Sequence, residues 1–338
     1  MTECIGLDIG GANIKAAHGA GEARSIPFPL WKAPEKLSSE LGSLLRELPE
    51  ADSLAVTMTG ELADCFATKG EGVRRILAAV EEVARSRPIR VWSTSGEFLS
   101  VEEACSHELS VAAANWHAVA TWWGRSRQIE SGLLIDIGST TTDIIPILEG
   151  RPQTVGLTDV GRLGAGELVY TGAVRTPVCA IVRSVPFRGR EVPVAAELFS
   201  TSVDVGLLLG EIAEDSEDRE TANGEAATVE AAWDRIARQI CCDRRECSFE
   251  EAVAMARFIR EEQLSQICRA VERVVARQSG VRFRELLLSG SGRFLAQKVL
   301  TKFPAFGSIP VIDLGELLTA DLASAACAYA VARLCLEE

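Results

Sequence analysis

Ile5-Gly6-Leu7-Asp8-Ile9-Gly10-Gly11-Ala12-Asn13-Ile14-Lys15 and Leu134-Ile135-Asp136-Ile137-Gly138-Ser139-Thr140-Thr141-Thr142-Asp143 share one pattern. Each is an apolar strand with Asp near its C-terminal end, then glycine with small amide or hydroxyl residues, then a returning strand. Such a repeat at long spacing is the mark of a duplicated unit. The reading that follows is α/β: two related α/β domains facing a phosphate-binding cleft. Residues 1–130 form the first domain and residues 131–338 the second, with an insertion or lid at about 150–250. That segment holds most of the irregular sequence, including 211–220, where six of ten residues are acidic. The acidic run itself reads as a solvated surface.

Outward from the repeat, strands are expected at 3–9, 13–18, 53–58, 89–93, 132–138, 143–148 and 286–289. Helices are expected at 35–48, 72–86, 109–123, 225–240, 248–278 and 320–335. Leu286-Leu287-Leu288-Ser289-Gly290-Ser291-Gly292-Arg293 is a strand leading through Gly-x-Gly into a helix, which points open amides and a positive helix end at a ligand. Position 295 is Leu, so the dinucleotide signature G-x-G-x-x-G is incomplete.

The turns suggest their own chemistry. A glycine tip lets backbone N–H groups approach an anion. Gly10, Gly11 and Asn13, then Gly138, Ser139, Thr140 and Thr141, and finally Gly290, Ser291 and Gly292, are therefore the expected phosphate-binding residues. Lys15 supplies a compensating positive charge. A carboxylate beside phosphate needs a cation between them, so Asp8 and Asp136 suggest Mg²⁺, with Asp143 either completing the metal shell or capping the turn. The competing reading is two ordinary hairpins whose Asp residues satisfy turn amides. Glu61, after Gly60, is a candidate general base; Tyr170 and Arg175 are candidate substrate contacts, against packing and surface-pairing roles. His117, in a tryptophan-rich stretch, reads as a hydrogen-bonded core histidine.

Composition narrows the function. The 338 residues are 47% apolar and 25% charged, enough for a large core. Lys and Arg total 35 against 48 Asp and Glu, a net charge of −13, which argues against nucleic acid as a partner. The longest stretch without Asp, Glu, Lys or Arg, 109–124, is too short and too polar to span a bilayer, and the start lacks a cationic signal region. The ten cysteines show no C-x-x-C spacing, and Cys241, Cys242 and Cys247 have no histidine near them. A cytoplasmic protein with reduced thiols is the expectation. P-loop, H-E-x-x-H and G-x-S-x-G motifs are missing from the sequence.

The three glycine-rich elements, in this order, resemble the actin, sugar kinase and Hsp70 ATPase superfamily, over nearly the whole chain apart from the insertion. Thr57-Met58-Thr59-Gly60-Glu61-Leu62-Ala63-Asp64 and the segment 159–178, beginning Asp159-Val160-Gly161-Arg162, are more specific. They resemble the hydantoinase-A-related branch linked to tetrahydromethanopterin-dependent C1 transfer and methanofuran biosynthesis. That resemblance implies an ether synthase: a furanmethanol diphosphate loses pyrophosphate as the phenol oxygen of a γ-glutamyl-tyramine-like acceptor attacks the furfuryl carbon, with Mg²⁺ as cofactor. Its partners would be these two small molecules, with a homo-oligomer allowed. The same fold also hosts ATP-dependent kinases, cyclic-amide hydrolases and non-enzymatic nucleotide-binding modules.

Overall fold

The computed structural model describes residues 3–338. Its first sheet has six strands in the order β3-β2-β1-β4-β5-β6. These are β1 (Cys4–Ile9), β2 (Asn13–His18), β3 (Ala23–Pro27), β4 (Ser53–Met58), β5 (Ile89–Trp92) and β6 (Phe98–Leu99). β1, β2 and β3 form an antiparallel meander, while β4 runs parallel to β1 and β5 parallel to β4. Every residue of β1 and β4 is buried, which explains why both read as unbroken apolar runs and not as alternating ones.

The second sheet repeats the plan. β7 (Ser131–Ile137) and β8 (Thr142–Leu148) form the hairpin, with β9 (Arg151–Pro152) and β10 (Leu168–Val169) both pairing with β8. A separate hairpin, β11 (Ser184–Phe187) and β12 (Arg190–Pro193), stands apart. The sheet closes with β13 (Glu285–Ser289), parallel to β7, and β14 (Val311–Asp313), parallel to β13. The order β10-β8-β7-β13-β14 thus matches β3-β2-β1-β4-β5 strand for strand. This is the doubled ribonuclease H-like plan of the actin-like fold.

Helices fill the space around and between the sheets. Lys69–Ala84 is capped by Thr68, whose side chain accepts from the Glu71 amide. It lays Val73, Ile76, Leu77 and Val80 onto the outer face of the first sheet. Phe249–Arg277, opened by a Ser248–Glu251 capping box, backs the second sheet with Leu264, Ile267, Val271 and Val274. The inner faces meet through two helices, Asn115–Ser126 and Ala326–Cys335. Trp92, Trp116, Trp122, Trp123, Leu134, Ile145 and Val331 share that one core. No helix of the described residues is long and apolar enough to cross a membrane.

Several sequence expectations need correction. The helix expected at 109–123 is two, Glu108–Val111 and Asn115–Ser126. Between them Ala113 takes φ 49° and Ala112 bridges to Met58 at the end of β4. The helix expected at 320–335 is likewise broken at Ala325, between Ala320–Ser324 and Ala326–Cys335. Within 150–250, the first twenty residues belong to the second sheet through β9 and β10. The remainder builds its own apolar cluster, with Val203, Leu207 and Ile236 joined by Met255 of the Phe249–Arg277 helix, and with the buried Arg235–Asp204 ion pair, 2.7 Å apart. β3, β6, β9, β10, β11, β12 and β14 went unread because each is short or borders polar sequence.

The Ala326–Cys335 helix lies so close to β1 that a Cβ on Gly6 would run into the Ala328 carbonyl oxygen. Gly6→Ala is therefore expected to destabilise the fold by about 2–3 kcal/mol, the cost of overpacking a closed core; urea denaturation measures it.

Candidate functional site

Both hairpins close in the same way. The Gly10 amide donates to the Asn13 carbonyl at 3.0 Å, and the Gly138 amide to the Thr141 carbonyl at 2.9 Å. Antiparallel register places Asp8 opposite Lys15 and Asp136 opposite Asp143, while parallel register sets Thr57 beside Asp8 and Ser289 beside Asp136. The two lobes thus present equivalent positions at the carboxyl ends of their central strands, where open α/β sheets bind ligands.

The third glycine element is tied to the second hairpin. The Gly292 amide donates to the Ile137 carbonyl at 2.7 Å. Gly290 has φ 86°, and a Cβ there would strike the Ile137 carbonyl and the Asp136 carboxylate. On the first lobe the amides of Thr59 and Gly60 donate to Ile9 in the corresponding place, at 3.0 and 2.9 Å. Ser291 follows on the exposed side of its turn.

Asp8 and Asp136 share one electrostatic environment across the lobes. Burial raises the Asp8 carboxyl above the usual carboxylate range, and Lys15 opposes the rise. Burial pushes Asp136 up to about 7, with Asp143 and Asp8 adding to the rise and Lys15 and Ser289 opposing it. Lys15 and both carboxylates are also felt by Cys327, in the first turn of the Ala326–Cys335 helix, whose thiol burial keeps neutral. Buried Asp8 Oδ1 and Thr57 Oγ1 have no hydrogen-bond partner in the protein. Unpaired polar atoms of this kind fit a bound polar group.

Of the three proposed metal carboxylates, Asp143 is already engaged. It pairs with Arg162, a buried guanidinium that lies over the Trp116 ring at 4.1 Å and donates to the Glu167 carbonyl at 3.2 Å. No group of three or more His, Cys, Asp or Glu side chains among the described residues is arranged to hold a metal. Asp8 and Asp136 alone suit Mg²⁺, which takes one or two protein carboxylates and completes its shell with water and phosphate oxygens.

Glu61 is 1% exposed and its Oε2 is unpartnered. Burial lifts its carboxyl to about 7; Lys69 lowers it and Asp159 raises it. Lys69 and Asp159 come from opposite lobes and pair at 3.5 Å. The break at Ala113 brings that backbone to Glu61 as well. Arg175 donates its amide to the Ser139 carbonyl at 2.9 Å, beside the second hairpin. Tyr170, in contrast, stands 69% exposed on the surface. His117 is a core residue, accepting from Trp92 Nε1 at 3.3 Å and pushed down to about 4 by burial. A groove of about 630 Å³ lined by Cys179–Arg183, Val194, Ala196 and Gln266 shares no residue with either hairpin.

Sequence reading missed Thr57, Arg162 and Cys327. Thr57 and Arg162 stand in the segments 57–64 and 159–178; strand register sets Thr57 beside Asp8, and an ion pair sets Arg162 against Asp143. Cys327 carried no local signal, because tertiary folding alone brings it near the hairpins.

A model of the hydantoinase/oxoprolinase family matches residues 52–332. A relative from Methanocaldococcus jannaschii, (4-{4-[2-(gamma-L-glutamylamino)ethyl]phenoxymethyl}furan-2-yl)methanamine synthase, is 33% identical over 98% of this chain and 96% of its own. The protein of the same name from Methanococcus vannielii is 27% identical over 61% of this chain and 91% of its own. Acetone carboxylase, in a nucleotide-free structure, matches with TM-score 0.52 and 16% identity over 90% of this chain and 46% of that one, a likeness of fold alone. The chain belongs to the hydantoinase/oxoprolinase family.

Glu61 carries a pH signature. Its folded carboxyl lies at about 7, against an ordinary 4.5. Its contribution to stability is therefore complete below the unfolded value and is lost as pH rises to and through the folded one. Between pH 5 and 8 the wild type should lose about 2–3 kcal/mol more stability than Glu61→Gln, as read by urea denaturation at both pH values.

Proposed function

We propose that this chain, a member of the hydantoinase/oxoprolinase family, is an enzyme that forms an aryl ether on a furfuryl carbon with diphosphate as leaving group. The observation that carries this reading is the convergence of two glycine-tipped hairpins on one Asp8–Asp136–Lys15 group, in which Asp8 is buried and the other two are half-buried. The names of the two relatives, each a phenoxymethyl-furan methanamine synthase, supply the product class.

The residues divide the work. The Gly10–Asn13 and Gly138–Thr141 turns, with Gly290–Gly292, hold the diphosphate through backbone amides. Asp8 and Asp136 would hold Mg²⁺, whose chemistry is to neutralise the charge on the departing diphosphate. Lys15 adds a fixed positive charge beside them. The phenol oxygen forms a bond to the furfuryl CH₂, and the bond from that carbon to the diphosphate ester oxygen breaks, its electron pair leaving with diphosphate. Glu61 takes the phenol proton, a role for which a carboxyl titrating near 7 is well matched. The electron-rich furan stabilises developing positive charge on its CH₂, so the protein's main tasks are leaving-group stabilisation and alignment.

The test is product analysis with Mg²⁺, an (aminomethyl)furanmethanol diphosphate and a γ-glutamyl-tyramine. Ether and pyrophosphate should appear in equal amounts, whereas ADP release from ATP without ether would overturn the reading. Asp8→Asn and Asp136→Asn should each lower turnover by about a hundredfold or more. kcat/KM should rise with pH through about 7, and Glu61→Gln should lose both that rise and about a hundredfold in rate.

A further inference from the structure

Trp31 lies at the junction of the two hairpins. The residue before it, Leu30, donates its amide to the Gly11 carbonyl at the first tip, at 2.9 Å. From the opposite lobe the Arg175 guanidinium lies over the Trp31 ring, 5.8 Å from its centroid, and the Arg175 amide is bonded to Ser139 of the second tip. The Lys32 ammonium is 6.0 Å from the same centroid. The indole remains 37% exposed, unlike Trp92, Trp116, Trp122 and Trp123, which are buried in the core. In a chain of net charge −13, two cations thus lie against one exposed indole beside both phosphate-type turns.

Contacts between a cation and an exposed ring are weak, so holding the lobes together does not account for this arrangement. A ligand that joins a flat ring to a strong anion through a short linker does. The ring stacks on the indole while the anion answers the cations. In a furfuryl diphosphate a single CH₂ separates the ring from the ester oxygen. A diphosphate seated in the hairpins therefore has its ring next to the segment carrying Trp31.

We propose that Trp31 is a binding residue for the donor's furan ring, and that Arg175 and Lys32 pair with the donor's negative charge. Trp31 then selects an arylmethyl diphosphate over diphosphate itself. This assignment rests on the reaction proposed above.

Calorimetry on the full chain with Mg²⁺ tests it, using inorganic pyrophosphate and a furfuryl phosphonophosphate in which CH₂ replaces the ester oxygen and blocks departure. The wild type should bind the furfuryl compound about tenfold more tightly than pyrophosphate. Trp31→Ala should erase that preference while leaving pyrophosphate affinity within about twofold, and Trp31→Phe should keep most of it. Arg175→Ala should weaken both ligands. A Trp31→Ala protein that keeps the tenfold preference overturns the assignment, and ether formation measured in parallel then decides the reaction on its own. A wild type that binds neither compound overturns both.

Discussion

Two carboxylates brought together from two sheets are the constraint on which the rest of the structure depends. Asp8 is buried and Asp136 half-buried, loss of solvent raises both, and Lys15 opposes the rise at each. Burial of like charges is unfavourable, and the fold manages it by separation of roles. Asp143, which adds to the rise of Asp136, is drawn off by Arg162, itself wedged against Trp116. What is left is a site with more carboxylates than cations and with buried oxygens that lack a partner, which suits an anion arriving together with a divalent cation.

The quasi-symmetry of the lobes makes this possible and also breaks down where chemistry needs it to. Register equates Lys15 with Asp143. The amides of Gly60 and Gly292, donated to Ile9 and Ile137, equate Glu61 with Arg293. In each pair the charge is inverted. One copy holds Lys15 and Glu61, the groups proposed above to act on the substrate. The other ties its residues into the protein, Asp143 to Arg162 and Arg293 to Asp313. The two lobes share a geometry and differ in the side chains set on it.

The repeat was legible because strands buried on both faces need continuous apolar runs and their turns need glycine, two local demands that survive in sequence. From Ile5–Gly10 and Leu134–Gly138 the central strands, the two hairpins and the equivalence of Asp8 with Asp136 could be read directly. The breaks at Ala113 and Ala325 were hidden, since alanine is a good helix former and its propensity is overridden here by the β4 bridge and by helix packing. Trp31 was invisible for a different reason. An indole in a polar segment has no periodicity, and its meaning lies in an arginine from the other lobe.

The Ala326–Cys335 helix covers β1, β2 and β4 of the first sheet, yet it follows the whole second sheet in the chain. On a ribosome, the first lobe emerges long before the element that seals its inner face. Its β1 strand stays partly uncovered until the second lobe has been made, so the first lobe completes its core only after the rest of the chain is present. Assembly of the cleft and completion of the first core are consequently one late event, and a nascent chain stalled before residue 326 would expose apolar strand surface to chaperones.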